Sequence, residues 1–217
     1  MNDLRSVLVR VWLPDRPGAL GLVASRIGAV RGDIVGIDVL EQGDGVVIDE
    51  FAVRLPDLSI VKVLVREIEE VDGVSVEEVR EVGRFPDPRI DALGTTAELC
   101  AAEGPHDLGE RLVAHVRREF LADWAALVVD GDVRHAVGEP LPEPPGLVAF
   151  AAGALDSPAL AGGDAGPDDV AIAPLERHAA AVLAGRSSNP FRARERYQLV
   201  LLAQVADRVW TLLDASR

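Results

Sequence analysis

The chain has 217 residues, enough for one medium-sized domain or two small ones. Its 22 basic and 36 acidic side chains give a formal net charge of −14, which argues against nucleic acid and anionic lipid as partners. Hydrophobic residues make up 48% of the chain and aromatic residues only 4%, so we expect globular cores built from aliphatic side chains.

The cysteine and histidine content argues against metal sites and disulfides. Cys100 is the only cysteine, so an internal disulfide and a zinc-binding thiolate cluster are both excluded. The four histidines are scattered, and no two have the spacing that places both on one helical face. No apolar run approaches the ~20 residues needed to cross a bilayer, and the first residues do not resemble an export signal. We therefore expect a cytoplasmic protein without a metal ion or other cofactor.

The first 83 residues alternate between strand and helix patterns. The predicted elements are a strand over 6–13, a helix over 18–31, strands over 34–40 and 47–55, a helix beginning near 56 and a strand around 74–76. This order predicts an α+β fold of the ferredoxin-like βαββαβ type. In such a sandwich two helices cover one sheet face and leave the other face free for a partner.

The junction between the first strand and the first helix, residues 13–20, carries the strongest functional signal. A helix that begins near Gly18 has unpaired backbone N–H groups at its positive dipole end, which suits a carboxylate. Asp15, three residues earlier, is placed to hold an ammonium group. Together these groups match the two charged ends of a free amino acid. Alternatively, Asp15 is a helix cap, and Pro17 and Gly18 are ordinary turn and first-helix residues.

Three further charged residues of this half have two interpretations each. Asp33 is either the polar end of a loop or a ligand contact. Asp49 is the one charged member of an otherwise apolar alternating face, so it contacts ligand or is covered by a partner chain. Arg16 is most simply a solvated loop residue that also lies within the candidate site.

Residues 5–83 resemble an ACT domain. The resemblance rests on Asp15-Arg16-Pro17-Gly18-Ala19-Leu20, on the order of the elements and on Val47-Ile48-Asp49-Glu50-Phe51. ACT domains are regulatory modules that pair and bind an amino acid at the interface between the pair. The resemblance implies that the ligand-binding residues are Asp15, Arg16, Pro17, Gly18, Ala19 and Leu20, with Asp33 and Ile34 on the facing strand. A chain with one such unit then needs a homodimer to complete the site.

The second half has a different sequence pattern and follows a predicted linker over 84–96, which is rich in Pro and Gly. Residues 97–217 predict a helix over 108–120, a hairpin over 124–137, strands over 170–175 and 179–184, and a long helix opened by Asn189-Pro190. Segments 138–146 and 161–168 predict loops.

This half resembles a GAF domain over residues 97–214. The residues that carry the resemblance are 121–127, Ala173-Pro174-Leu175, 182–186 and 190–195. A GAF domain implies a second α+β unit with a central antiparallel sheet and a small-molecule pocket over it. The region that usually covers the pocket is shortened here to residues 138–168.

Catalytic motifs are missing from the sequence. There is no Gly-x-Ser-x-Gly nucleophile elbow, and the Gly-rich stretch 162–166 lacks the Lys-Ser/Thr ending of a phosphate loop. A basic cluster of Arg186, Arg192, Arg194 and Arg196 predicts either an anionic partner or a solvated face paired with Glu195. We therefore expect a non-enzymatic regulatory protein that binds an amino acid. The alternative is an interaction subunit that has lost its ligands and regulates a partner enzyme or transcription factor.

Overall fold

The computed structural model describes residues 4–157, 159 and 166–216, without the side chains of residues 88 and 89. The chain divides into two compact units, residues 1–85 and residues 86–217. Each unit contains one four-stranded antiparallel sheet. The predicted α+β class with two domains is confirmed. In the part of the chain that is described, no helix combines the length and apolar character needed to cross a membrane.

The first unit has the predicted ferredoxin-like order. Its elements are β1 (Arg5–Pro14), α1 (Ala19–Ala29), β2 (Asp33–Gly43), β3 (Val46–Leu55), α2 (Val61–Glu69) and β4 (Ser75–Val82). The strands lie in the order β2-β3-β1-β4. Both predicted helices and all four predicted strands are therefore confirmed.

The helix-covered face of this sheet forms the core of the first unit. Side chains alternate along a strand, so the odd-numbered apolar residues of β1 all point toward the helices. They pack with the buried stripes of α1 and α2 in one cluster, whose main members are Val7, Val9, Val11, Leu13, Ala19, Val23, Ile27, Phe51, Val53, Leu64 and Ile68. The three members on α1 are four residues apart, which places them on one face of the helix and makes it amphipathic.

The opposite face of the same sheet is occupied by charged side chains that bind one another. Arg10 is only 4% exposed there. Its guanidinium donates to a Glu50 carboxylate oxygen from two nitrogens, at 2.9 and 3.2 Å. The indole N–H of Trp12 donates to Glu77 at 3.1 Å. The face that the sequence predicts to be free for a partner thus carries an ion pair and an indole–carboxylate bond beside the buried apolar side chains of Leu8 and Ile48.

The second unit is a three-layer arrangement around its own sheet. Its elements are α3 (Pro88–Cys100), α4 (Pro105–Glu119), β5 (Trp124–Val129), β6 (Asp132–Gly138), α5 (Pro144–Asp156), β7 (Val170–Leu175), β8 (Ala180–Gly185) and α6 (Ala193–Ala215). The strands lie in the order β6-β5-β8-β7. The predicted central antiparallel sheet and its four strands are confirmed.

Three predicted boundaries in this half differ from the structure. Helix α3 occupies most of the predicted linker 84–96, and α5 begins inside the predicted loop 138–146. Helix α6 begins at Ala193 because the Glu195 carboxylate reaches back to the backbone N–H of Arg192 at 2.9 Å, which caps the helix three residues after Asn189. Of the predicted loop 161–168, residues 161–165 lie outside the described residues.

The two faces of the second sheet are both covered by apolar side chains. Helices α3, α4 and α6 contribute to the cluster on one face. On the other face Leu147, Ala151 and Ala154 of α5 pack with Trp124 and Leu183 of the sheet. A Cβ at Gly185 would overlap the Trp124 indole, so this position needs glycine. Helix α5 therefore covers this second face of the sheet directly.

The predicted basic cluster is a structural feature of this unit. Arg186 is buried, and its guanidinium donates to the backbone carbonyls of Phe120, Asn189 and Pro190 at 2.7–2.9 Å. Two further bonds of 2.7 and 2.8 Å join it to the carboxylate of Glu195. Arg192 and Arg196 are also buried. The prediction of a solvated face is therefore wrong for these three arginines, while Arg194 is exposed and the predicted pairing with Glu195 is present.

We expect Arg186→Met to reduce the free energy of unfolding by about 3–5 kcal/mol, because it leaves Glu195 and three carbonyls buried without their partner. Arg134→Met is the matched control, since Arg134 is 54% exposed and 3.5 Å from Asp132. The control should change stability by about 1 kcal/mol or less. Urea unfolding of the three proteins measures both values. Equal effects of the two substitutions would contradict this account of Arg186.

Candidate functional site

The loop between β1 and α1 leaves the first turn of the helix open. Gly18 has a φ of 91°, in the left-handed region that favours glycine, and occupies the N-cap position of α1. No side chain of the described residues caps this helix, and its first turn has no acidic residue. The amide groups of the turn thus keep the dipole end available for an anion, as the sequence predicts. Residues 15–18 are all exposed.

Asp15 does not cap the helix. Its carboxylate accepts a hydrogen bond of 2.9 Å from the side-chain amide of Gln42, near the end of β2. Its backbone N–H donates to the carbonyl of Gly45 at 2.9 Å, which ties the loop to the β2–β3 turn. The cap interpretation is therefore wrong, and a role for this exposed carboxylate in holding an ammonium group stays a prediction.

The remaining predicted residues lie in different surroundings. Arg16 and Pro17 are exposed on the loop, and Leu20 is 41% exposed on the first turn of α1. The Ala19 side chain is buried in the core of the unit. Of the loop residues predicted to contact ligand, Ala19 can therefore offer little more than its backbone.

Asp33 and Ile34 lie at the far end of β2 from this loop. Asp33 is the first residue of the strand, and Gln42, which binds Asp15, is next to its last residue. At about 3.3 Å per residue, the two ends are about 30 Å apart. The Asp33 carboxylate instead lies 4.0 Å from the guanidinium of Arg54. One subunit therefore does not bring the two predicted halves of the site together.

Strand β2 forms one edge of the sheet and has an uncovered apolar surface. Ile37 and Val39 pair with Phe51 and Asp49 of β3, so they are on the helix-covered face of the sheet. They are nevertheless 41% and 47% exposed, because the helices cover the inner strands and not this edge. The sequence alternation of this strand does not reveal that its apolar side chains remain exposed.

Helix α1 contributes one more apolar residue beside this surface. Arg26 of α1 binds Glu67 of α2 at 3.1 Å, so its flank of the helix faces α2. Leu20 lies about 120° around the helix from Arg26, on the opposite flank of the buried stripe. This flank faces β2, because β2 and β4 are the two edges of the sheet and α2 packs on the β4 side. We call Leu20, Ile37 and Val39 the edge strip.

Asp49 is the least expected residue near the edge strip. It is 3% exposed, on the helix-covered face of β3, where burial raises the pKa of its carboxyl group above the ordinary value. Its Oδ1 is fully buried without a hydrogen-bond partner among the described residues. The expectation that a partner chain covers this carboxylate is wrong, because the subunit itself buries it.

Asp49 lies level with the open first turn of α1. The backbone N–H of Gly32 donates to the carbonyl of Ile27, and a Cβ at Gly32 would touch the Val53 side chain. Ile27 of α1 and Val53 of β3 therefore lie at the same height along the strand direction. Helix α1 and strand β3 run in the same direction. Ala19 is eight residues before Ile27 on the helix, a rise of about 12 Å, which corresponds to about four residues of a strand. Asp49 is four residues before Val53, so Ala19 and Asp49 lie at the same height.

The second unit has a polar cavity of about 260 Å³ next to a buried carboxylate. Asp207 of α6 accepts hydrogen bonds from the backbone and the guanidinium of Arg177, at 3.2 and 2.9 Å. His178 Nδ1 lies 2.7 Å from the same carboxylate, and its ring stacks on Trp210. Since these contacts occupy both oxygens, Asp207 anchors the turn before β8 to α6. The sequence analysis missed this cluster because its members are 30 residues apart.

The described part of the chain also contains residue types that bind metal ions and the single cysteine. No three histidine, cysteine or acidic side chains within it form a group that could hold a metal ion. Cys100 is exposed and free.

Comparisons with known proteins find similarity in structure only. No protein-family model and no curated protein sequence matches the chain. The C-terminal domain of the MgtC protein from Mycobacterium tuberculosis is 16% identical, with a TM-score of 0.33, over 40% of this chain and 96% of its own. The ACT domain from GTP pyrophosphokinase of Chlorobium tepidum is 16% identical, with a TM-score of 0.30, over 36% of this chain and 99% of its own.

A third similar structure spans both units. An unknown protein from Galdieria sulphuraria is 17% identical, with a TM-score of 0.35, over 97% of this chain and 94% of its own. An ACT domain is thus among the structures similar to this chain, while the resemblance of the second unit to GAF domains stays a prediction. At these identities the geometry of the site has to carry any functional argument.

We expect Asp49→Asn to stabilise the protein at neutral pH. Because burial raises the pKa of Asp49, the folded state disfavours the ionised form, and its contribution to stability is lost as pH rises through the raised pKa. The stability difference between the variant and the wild type should therefore be larger at about pH 7 than at about pH 3. Urea unfolding at both pH values measures it. A matching gain from Asp72→Asn, at an exposed position, would contradict this origin.

Proposed function

We propose that the protein is a non-enzymatic regulator that forms a homodimer and binds a free amino acid beside residues 15–20. The observation that carries the proposal is the open first turn of α1, with its exposed loop next to an uncovered edge strand. The ligand carboxylate binds the amide groups of this turn, and Asp15 attracts the ammonium group at the rim of the site. The resemblance of residues 5–83 to ACT domains supports this assignment.

The dimer forms through the β2 edges. The face opposite the helices is a poor apolar interface, because Arg10 and Glu50 are bound to each other there. The β2 edge is an outer strand of the sheet and offers the exposed side chains of Ile37 and Val39. When two such edges pair in antiparallel fashion, the start of one β2 meets the end of the other. Asp33 and Ile34 of the partner subunit then lie beside the loop that contains Asp15.

Ligand binding then regulates the dimer by thermodynamic linkage. A ligand that touches both subunits binds the dimer more tightly than the monomer, so it stabilises the dimer by mass action. The second unit passes this change in population to a downstream partner.

A second candidate function is an interaction subunit without a ligand, which regulates a partner enzyme or transcription factor. It is favoured by α5, whose Leu147 and Ala151 fill the sheet face where a GAF-type pocket would lie. Purification from a native extract distinguishes the two functions. An interaction subunit brings a stoichiometric partner protein whose attachment does not change when amino acids are added.

We expect isothermal titration calorimetry with the twenty amino acids to detect binding of at least one of them to the dimer. Asp15→Ala should weaken that binding by about fivefold, since the contact of an exposed carboxylate is screened by solvent. Asp156→Ala, at an exposed position of the second unit, should leave the affinity unchanged. A dimeric protein that binds none of the twenty would refute the proposed function.

We expect Ile37→Arg to convert the dimer into a monomer, because it places a charge in the middle of the apolar β2 edge. Val63→Arg is the matched control, since Val63 is an exposed apolar residue of α2. Sedimentation velocity measures the oligomeric state of each protein. If Ile37→Arg sediments as the wild-type dimer does, the β2 edge is not the interface.

A further inference from the structure

The buried carboxylate of Asp49 is unexplained by the fold. It lies at 3% exposure, and none of the hydrogen bonds or ion pairs of the described residues involves it. Proteins pair buried carboxylates almost without exception, because an isolated charge loses its hydration without compensation. An ionised Asp49 therefore lacks a cation or a hydrogen-bond donor, and none of the described residues of the subunit supplies one to its Oδ1.

A ligand has a lateral route to this carboxylate. Val39 lies directly opposite Asp49 in the β2–β3 pairing, and it is exposed because the edge strand is uncovered. Side chains in this relationship are about 5 Å apart. A ligand group that contacts the Val39 side chain is therefore about 5 Å from the Asp49 side chain. It reaches this position from the β2 edge and does not have to displace α1.

The surroundings of Asp49 define the rest of the ligand. The first turn of α1, level with Asp49, offers unpaired amides that suit a carboxylate. The edge strip beside it consists of Leu20, Ile37 and Val39, all aliphatic. These three features match an ammonium group, a carboxylate and an aliphatic side chain. An aliphatic α-amino acid carries all three on neighbouring atoms.

We propose that Asp49 binds the ammonium group of the ligand and that the ligand is an aliphatic α-amino acid whose side chain lies on the edge strip. This proposal rests on the proposed function and names the substrate class of the same site. Asp15 has a lesser role, because it is exposed to solvent and bound to Gln42. The desolvated carboxylate of Asp49 interacts more strongly with a cation than an exposed one does.

The stability of the apo protein also fits this role. A carboxylate kept buried for a ligand destabilises the protein when the ligand is absent, and an amide of the same shape removes that cost. Asp49→Asn is therefore expected to fold well and bind poorly. This opposite effect on stability and binding separates a ligand contact from a merely structural residue.

The test compares the wild type, Asp49→Asn and Asp156→Asn by isothermal titration calorimetry, since Asp156 is an exposed residue of the second unit. The probes are L-leucine, L-isoleucine and L-valine, with L-serine, L-glutamate and L-lysine as polar comparisons. 4-Methylpentanoate, which is leucine without its ammonium group, tests the Asp49 contact directly. We expect the wild type to prefer an aliphatic amino acid and to bind 4-methylpentanoate about tenfold or more weakly than L-leucine. In Asp49→Asn the two should bind alike, and Asp156→Asn should match the wild type.

The outcomes separate this inference from the function on which it rests. If a polar amino acid binds instead, or if Asp49→Asn binds L-leucine as tightly as the wild type does, the inference is overturned while the proposed function stands. If none of the twenty amino acids binds the wild-type dimer, both are overturned. Loss of L-leucine binding in a variant that is as stable as the wild type or more stable supports the inference.

Discussion

The packing of two helices on one face of the first sheet is the constraint from which the site follows. Alternation along β1 and β3 directs Val9, Val11 and Phe51 toward α1 and α2, and their burial stabilises the unit. On the same face, Ile37 and Val39 of the edge strand β2 remain 41% and 47% exposed. The open first turn, the aliphatic strip and the buried carboxylate meet only because the helices stop short of that edge.

The sheet of the second unit is packed differently from that of the first. Apolar side chains cover its sheet on both faces, and two of its buried charged groups, Arg186 and Asp207, are held by internal contacts. Arg186 binds three carbonyls and a carboxylate, and Asp207 binds Arg177 and His178. Groups saturated in this way hold loops and helix ends in place. They have little capacity left for a ligand, in contrast to Asp49 in the first unit.

Local patterns predicted most of the fold, and long-range contacts account for what they missed. The alternation of β1 and the spacing of α1 depend only on neighbouring residues, so these elements were predicted from the sequence. The prolines and glycine of 86–94 suggested a linker, yet α3 forms there because proline fits a first turn and Leu99 is buried. The burial of Arg186 could not be predicted, since its partner Phe120 is 66 residues away. The sequence identified Asp49 as the one charged residue of an apolar strand face. Only the strand pairing in the structure showed which residues surround it.

The strand order of the first sheet limits how copies of the chain can associate through β2. β2 and β4 are the two edges of this sheet, so a pair that joins two β2 strands leaves a β4 strand at each outer end. On β4 the carboxylates of Glu77, Glu78 and Glu81 are already bound, by Trp12, Arg80 and Arg5. A contact between two β2 strands uses the same edge of both subunits, so association through this edge closes at two copies with two-fold symmetry.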